Sequence, residues 1–350
     1  MISKKHYYLS LLFVFGFSFC LGVLVYRGGW ITSGKNALLG WISGPSTESQ
    51  QEQVTATPQT PLPMVGNRYL SLNEIPLDEN EDPLLFMVAG HIYGSHDIND
   101  IHPAVTLLYN LQLINQMDPD MGFLLGDIVF RSNEKYFNEF KRDFLSLLNF
   151  PVSNAAGNHD MKNRALYESL FGASVFSFTF KQHLFINLDT TRSGCSIPSD
   201  QIEFIKNQIT EQRAATDLAG IHLMMHHVVF LNKSGLSDQE IAQPNTACSD
   251  TQEFEEFIQE FLVPLSMEIP VYLYAGDVGA YDGNLSPYFE KRPGSNITQM
   301  AVGVGNSPYD AVIIARERDG RLLFEAFSLA GREMMPIENY SYSYWRNRTD

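Results

Sequence analysis

The sequence predicts an α/β domain built on a mixed sheet with helical layers, set behind an N-terminal membrane-spanning helix. Three observations lead there. From about residue 80, short apolar runs bounded by turn residues alternate with stretches of helical spacing, the pattern of layered α/β folds. Five of the apolar runs end in residues able to bind a metal ion. Residues 7–26, YYLSLLFVFGFSFCLGVLVY, carry no charge.

The charge-free run follows Lys4 and Lys5 and precedes Arg27. Twenty helical residues span roughly 30 Å, the thickness of a bilayer's hydrocarbon core. A cleaved signal peptide has a shorter apolar stretch, about 7–15 residues, and a small-residue cleavage site. Here Tyr26, Arg27 and Trp30 are bulky, so an uncleaved anchor in the lipid bilayer is the preferred reading. The lysines predict a cytoplasmic tail at 1–6 and place the rest outside the cytoplasm, in a periplasmic, extracellular or lumenal space. In an oxidising compartment Cys195 and Cys248 are able to pair, although nothing in their spacing shows that they meet. Residues 44–64 are rich in Ser, Thr, Gln and Pro, so 27–79 reads as a flexible linker or stalk. The globular domain is expected over 80–332, with 333–350 as a C-terminal tail.

Inside the domain, 83–89 (PLLFMVA), 122–126 (GFLLG), 151–155, 221–225 and 271–275 read as buried strands. Residues 103–117, 134–148, 199–213 and 250–265 have helical spacing, the first with Pro in its opening turn. Residues 175–180 and 183–188 alternate as a hairpin does. Runs at 297–304, 310–316 and 321–328 close the domain, the last two joined by the turn RDGR. With 350 residues, 44% hydrophobic, the chain is long enough for one large domain plus extras. A formal net charge of −16 makes nucleic acid a poor candidate partner.

The strand ends deliver His91, Asp127, Asn158 with His159, His226 with His227, and Asp277. Taken singly, an Asp after a Gly is usually a turn residue and an interior His a core residue. Five such ends together fit the crevice that open α/β sheets form at the carboxyl ends of their strands. Imidazole, carboxylate and amide donors suit Zn, Mn or Fe. Two ions about 3.5–4 Å apart clamp a phosphoryl oxygen and activate water. In such a centre Asp127 is the natural bridging carboxylate, and His159 is placed to protonate a leaving oxygen.

The stretches LLGDIV (124–129), AAGNHD (155–160) and LMMHHVVF (223–230) resemble the calcineurin-like metallophosphoesterases, over roughly residues 83–330. That resemblance implies a two-sheet β-sandwich flanked by helices and a two-metal centre that hydrolyses phosphoesters. By match, Asp127 would bridge the ions, Asn158 and His226 would bind the second, His159 would contact phosphate or protonate the leaving group, and Asp160 would orient His159. His226 fits the ligand position better, and His227 is expected to turn away. Two motifs depart from the pattern. The first, Asp-x-His, reads Ala89-Gly90-His91, and the last, Gly-His-x-His, reads Gly276-Asp277-Val278-Gly279. One ion keeps only His91 and the shared Asp127. The other keeps Asp127, Asn158, His226 and Asp277. The expectation is therefore one well-formed site for a divalent transition metal and one crippled site. The loop carrying His96, Asp97, Asp100 and His102, or Asp282, is the candidate source of a replacement carboxylate. The bland alternative is that these residues are solvated.

These observations support two readings of different class. One is a membrane-anchored, externally facing hydrolase of a phosphomonoester or phosphodiester. The other is a catalytically impaired binding or assembly module of the cell envelope that retains the fold. A soluble cytoplasmic phosphodiesterase is disfavoured by the anchor. The sequence carries no sign of oligomeric state.

Overall fold

Strands buried on both faces read as continuous apolar runs, and here they pair in parallel. The computed structural model describes residues 71–95, 100–231, 244–246, 248, 251–281 and 285–347. The charge-free run at 7–26, most of the linker, and His96, Asp97 and Asp282 lie outside these residues. Among the described residues, no helix is long and apolar enough to cross a membrane.

The strands are β1 (Leu85–Ala89), β2 (Met121–Leu124), β3 (Val152–Asn154), β4 (Phe176–Phe180), β5 (His183–Asn187), β6 (Gly220–Met225), β7 (Val271–Ala275), β8 (Tyr288–Lys291), β9 (Ile297–Ala301), β10 (Ala311–Arg318), β11 (Arg321–Ser328) and β12 (Glu333–Pro336). They form two six-stranded sheets, ordered β12-β11-β10-β1-β2-β3 and β4-β5-β6-β7-β9-β8. β1, β2 and β3 are parallel to one another, as are β5, β6, β7 and β9. All the strands that end in candidate ligands therefore belong to the parallel parts of the sheets.

The strand period of two decides which side chains go where. On β1, Phe86 and Val88 join Phe123, Phe185, Met224, Tyr274 and Phe324 in the layer between the sheets. Leu85, Met87 and Ala89 face the other way, into an apolar layer under helices. Those helices are α1 (Val105–Leu108), α2 (Leu111–Gln116), α3 (Glu134–Asp143) and α4 (Arg164–Phe171). α5 (Ser199–Ala215), α6 (Gln252–Phe257) and α7 (Val263–Ser266) cover the second sheet in the same way. The molecule is a mixed α/β fold of two sheets flanked by helices.

Three elements differ from expectation. The helix expected over 103–117 breaks at Asn110, whose buried amide donates to the carbonyls of Thr106 and Leu329. The helix expected over 134–148 ends at Asp143 and tightens into a 3₁₀ turn at Leu145–Leu147. The expected C-terminal tail is part of the domain: β12 pairs with β11, and a last helix α8 (Tyr342–Asn347) buries Trp345, whose indole N–H donates to the Pro287 carbonyl.

Between the sheets lies a buried polar chain. His183 Nδ1 is 2.9 Å from His222 Nε2, and His222 Nδ1 is 3.0 Å from the Tyr274 hydroxyl. Phe185 and Tyr272 stack on the His222 ring. Burial lowers His183 to about 4 and, with His183 alongside, lowers His222 as well. The folded chain thus refuses protons that the unfolded chain accepts near pH 6.5. The contribution to stability is complete above about pH 6.5 and declines as pH falls from there towards 4. Denaturant midpoints measured between pH 7.5 and 5 should fall on acidification, and the fall should be smaller in His183→Gln. Equal pH dependence in both proteins would show that this pair is not responsible.

Candidate metal centre

β1 leaves its sheet through Gly90 to His91, and β2 through Gly126 to Asp127. His91 and Asp127 both take positive φ, +49° and +54°, a conformation that L-residues adopt rarely and that clusters at functional sites. The two turns hold each other: the His91 N–H donates to the Gly126 carbonyl and the Tyr93 N–H to the Asp127 carbonyl. Glycine is required where further loops close on this point. A Cβ on Gly157 would sit 2.3 Å from the Asp127 nitrogen, and one on Gly126 would sit 2.5 Å from His226 Nδ1.

Around this turn the structure gathers His91, Asp127, Asn158, His226 and Asp277, five residues from five strand ends. His226 Nε2 lies 3.0 Å from Asn158 Oδ1, 3.5 Å from Asp127 Oδ1 and 3.8 Å from Asp277 Oδ1. His91 Nε2 lies 3.8 Å from Asp127 Oδ2. Donors sharing one ion through bonds of about 2.0–2.2 Å at roughly 90–110° stand about 2.8–3.6 Å apart. Two of the His226 distances fall in that range and the third is a few tenths wider.

The tautomers also suit a cation. His226 Nδ1 is 2.8 Å from the Leu125 carbonyl, and His91 Nδ1 is 3.2 Å from the Val304 carbonyl. A carbonyl can only accept, so each Nδ1 carries the proton and each Nε2 lone pair is left for the centre, as in metal-bound histidines. Burial opposes charge on His226, but Asp127 and Asp277 outweigh it and raise the imidazole. A field that draws a proton to this nitrogen draws a metal ion equally. Burial would raise Asp277 too, yet His226, His227 and a hydrogen bond from Thr246 hold its carboxyl below the usual range. Its Oδ2 is buried with no hydrogen bond from any described residue. An ionised oxygen left so in the interior is expensive, and a bound cation removes the expense.

Two departures explain the weaker half. Ala89 is buried in the apolar layer with Met87 and Leu124 and offers no donor. Gly279 has φ +81°, and a Cβ there would meet the Gly303 carbonyl oxygen at 2.7 Å, so this backbone has no room for a side chain at 279. The neighbouring loop does not supply a replacement from its described residues. His102 pairs with Asp143 at 2.6 Å on the surface, and its own N–H donates to Asp100. His102, Glu139 and Asp143 make a second cluster of metal-capable groups, but the Arg142 guanidinium already binds both carboxylates.

The expected role of Asp160 needs correction. Its carboxylate accepts from the N–H groups of Ile128, Val129 and Gly157 and from the Asn154 amide. It ties the Asp127 turn to the Asn158 turn instead of orienting the His159 ring. Burial and the nearby Asp127 push it up to about 7 against the pull of those donors. The His159 ring is set by the Phe130 carbonyl, 2.7 Å from Nδ1, and by the rings of Tyr93 and Phe130, at 4.9 and 5.3 Å. The His159 N–H donates to Asp127 Oδ1.

The adjacent histidines also behave differently from expectation. His227 Nδ1 is 2.7 Å from the Thr190 hydroxyl, yet the ring stays inside: donor atoms of His226, His227 and Asp277 all lie within 4.8 Å of one another. Burial, with His226 beside it, lowers His227 to about 4. The outer residues Tyr93, Phe130, Thr190 and Thr246 escape sequence reading, because a loop hydroxyl or ring carries no periodic signal. Cys195 and Cys248 form a disulfide. It joins the loop of Thr190 to the loop of Thr246.

No family model matches this chain, and no curated protein does. Among solved structures, a dimetal phosphatase from Danio rerio is similar over 73% of this chain and 100% of its own, with a TM-score of 0.51 and 11% identity. A cold-active protein-tyrosine phosphatase from a psychrophilic Shewanella species aligns over 75% of this chain and 84% of its own, with a TM-score of 0.33 and 10% identity. The first likeness shows a phosphatase-like fold.

Proposed function

We propose that the chain is a metal-dependent phosphoesterase that hydrolyses a phosphomonoester or phosphodiester at a single well-formed centre. The observation that carries this reading is the convergence of His91, Asp127, Asn158, His226 and Asp277 around buried donor atoms, one of them an orphaned carboxylate oxygen. Asp127, Asn158, His226 and Asp277 would hold the ion, with His91 beside Asp127. This oxygen-rich set suits Mn, Fe or Zn. A divalent ion supplies charge neutralisation at the phosphoryl oxygens and a water of lowered pKa. His159, its Nδ1 fixed on the Phe130 carbonyl, presents Nε2 as the atom that moves a proton to the leaving oxygen. Asp160 acts as a positioning residue that keeps the Asp127 and Asn158 turns in contact.

The reading extends to an anchor at residues 7–26, a cytoplasmic N-terminus and an extracytoplasmic domain. The charge-free run supports it, and the Cys195–Cys248 bridge agrees with an oxidising compartment. Protease protection in intact membranes tests this topology: cleavage of the domain from the cytoplasmic side alone rules it out.

A second reading, a catalytically impaired module of the cell envelope, is favoured by one observation: positions 89 and 279 offer no ligand. Dialysis against Mn or Zn separates the two. About one ion per chain together with turnover of an aryl phosphate is the expected result. Binding without turnover favours the impaired module, and metal content near zero sinks the centre itself.

A further inference from the structure

We propose that His227 is a ligand of the same ion, so that both adjacent histidines serve the centre; this rests on the metal-dependent reading above. β6 ends at Met225, and the two histidines that follow it are both buried. In a continuing strand they would face opposite sides of the sheet. Here the chain has left the strand, and the two rings lie with centres 4.8 Å apart at 68°. Two imidazoles that share an ion through bonds of about 2.1 Å, at angles of about 90–110°, hold their ring centres about 4.5–5.2 Å apart. The observed separation falls in that interval.

The other side of the ring is fixed. The Thr190 hydroxyl sits 2.7 Å from His227 Nδ1 and also accepts from the His227 backbone N–H. With Nδ1 taken up by Thr190, Nε2 is the nitrogen free to bind an ion. Thr190 is itself braced. Its carbonyl accepts from the Cys195 N–H, and the preceding Asp189 carboxylate pairs with Arg164 at 2.7 Å. A ring held in this way through a hydroxyl behind it matches the outer support that bound histidines receive. Next to it, Asp277 Oδ2 is buried without a hydrogen bond from any described residue. The donor atoms of His226, His227 and Asp277 lie within 4.8 Å of one another, wider than donors on one ion, so an ion there would draw the His227 ring inward by about 1 Å, satisfy that oxygen and give the centre a donor in place of those that positions 89 and 279 do not offer.

The test is Mn2+ affinity of the full-length protein, measured by calorimetry, together with the visible spectrum of its Co2+ form, which responds to the donors around the ion. His227→Ala and His227→Gln are expected to weaken Mn2+ binding by at least about 10-fold and to change the Co2+ bands. Thr190→Val, which keeps the ring and removes its support, should weaken binding by a smaller factor and decides the matter if the His227 variants fail to fold. Folded variants that bind Mn2+ as the wild type does, with an unchanged Co2+ spectrum, overturn the assignment of His227 alone. A wild-type protein that binds neither ion overturns the metal reading as well.

Discussion

Asp127→Ala is expected to remove turnover of an aryl phosphate by at least about 10³-fold, and Asn158→Ala to do nearly as much. Among the described residues, Asp127 is the carboxylate within 4 Å of both His91 and His226. Its Oδ1 lies 3.5 Å from His226 Nε2 and accepts the His159 N–H, while Oδ2 lies 3.8 Å from His91 Nε2. On the proposed reading, removing it takes a donor from the ion and releases the backbone of His159, the proposed proton donor. Asn158 places a neutral oxygen 3.0 Å from His226 Nε2, so its loss opens the shell without changing the charge. His102→Ala is the control. It breaks only a surface pair with Asp143 and should leave the rate unchanged. Steady-state assays on the three variants decide the point. Survival of activity in both Asp127→Ala and Asn158→Ala means that the chemistry lies elsewhere.

Opening the Cys195–Cys248 bridge has the second large effect expected. The cysteines are 53 residues apart in the chain, and closing a loop of that length in the unfolded state is worth about 4 kcal/mol on the chain-entropy model. For a domain of this size that corresponds to a melting temperature lower by about 10 °C. The bridge also joins two loops that reach the centre. Thr190, which holds His227, accepts from the Cys195 N–H. Thr246, which bonds Asp277, lies two residues before Cys248, and the neighbouring Asn245 N–H donates to the Asp277 carbonyl. Thermal melts with and without reductant, repeated on Cys195→Ser/Cys248→Ser, measure the effect. A melting temperature indifferent to both treatments would show that the bridge contributes nothing.

Much of the fold was legible because β1, β2, β6 and β7 are short, largely apolar and bounded by turns, so their ends announce themselves. The residues at those ends were legible for the same reason. The distribution of strands between two sheets was not, because a strand's own period says which faces are buried and nothing about its neighbours. It entered only through the resemblance of GNHD and its companion motifs. β12 was missed because Glu333–Pro336 is short and only half apolar, and its pairing with β11 is a tertiary fact. Asp160 was assigned to the nearest plausible partner, His159. Two of its four donors, Gly157 and Asn154, are local, but the N–H groups of Ile128 and Val129 that tie it to the Asp127 turn lie about 32 residues upstream, beyond the reach of local reasoning. Thr190 and Thr246 were invisible because their importance comes from what they face across the fold.

The centre draws His91, Asp127 and Asn158 from one sheet and His226 and Asp277 from the other. A chain that has assembled only one sheet holds at most part of the donor set, so the ion recognises the finished molecule and little before it. Binding of that kind stabilises by mass action, about 2.7 kcal/mol at a free-ion concentration 100 times the dissociation constant. On the proposed reading, the ion would work as a rivet through both layers. If the proposed centre holds an ion, a chelator in the purification buffer would strip it out and, with it, one of the ties that keep the two sheets docked.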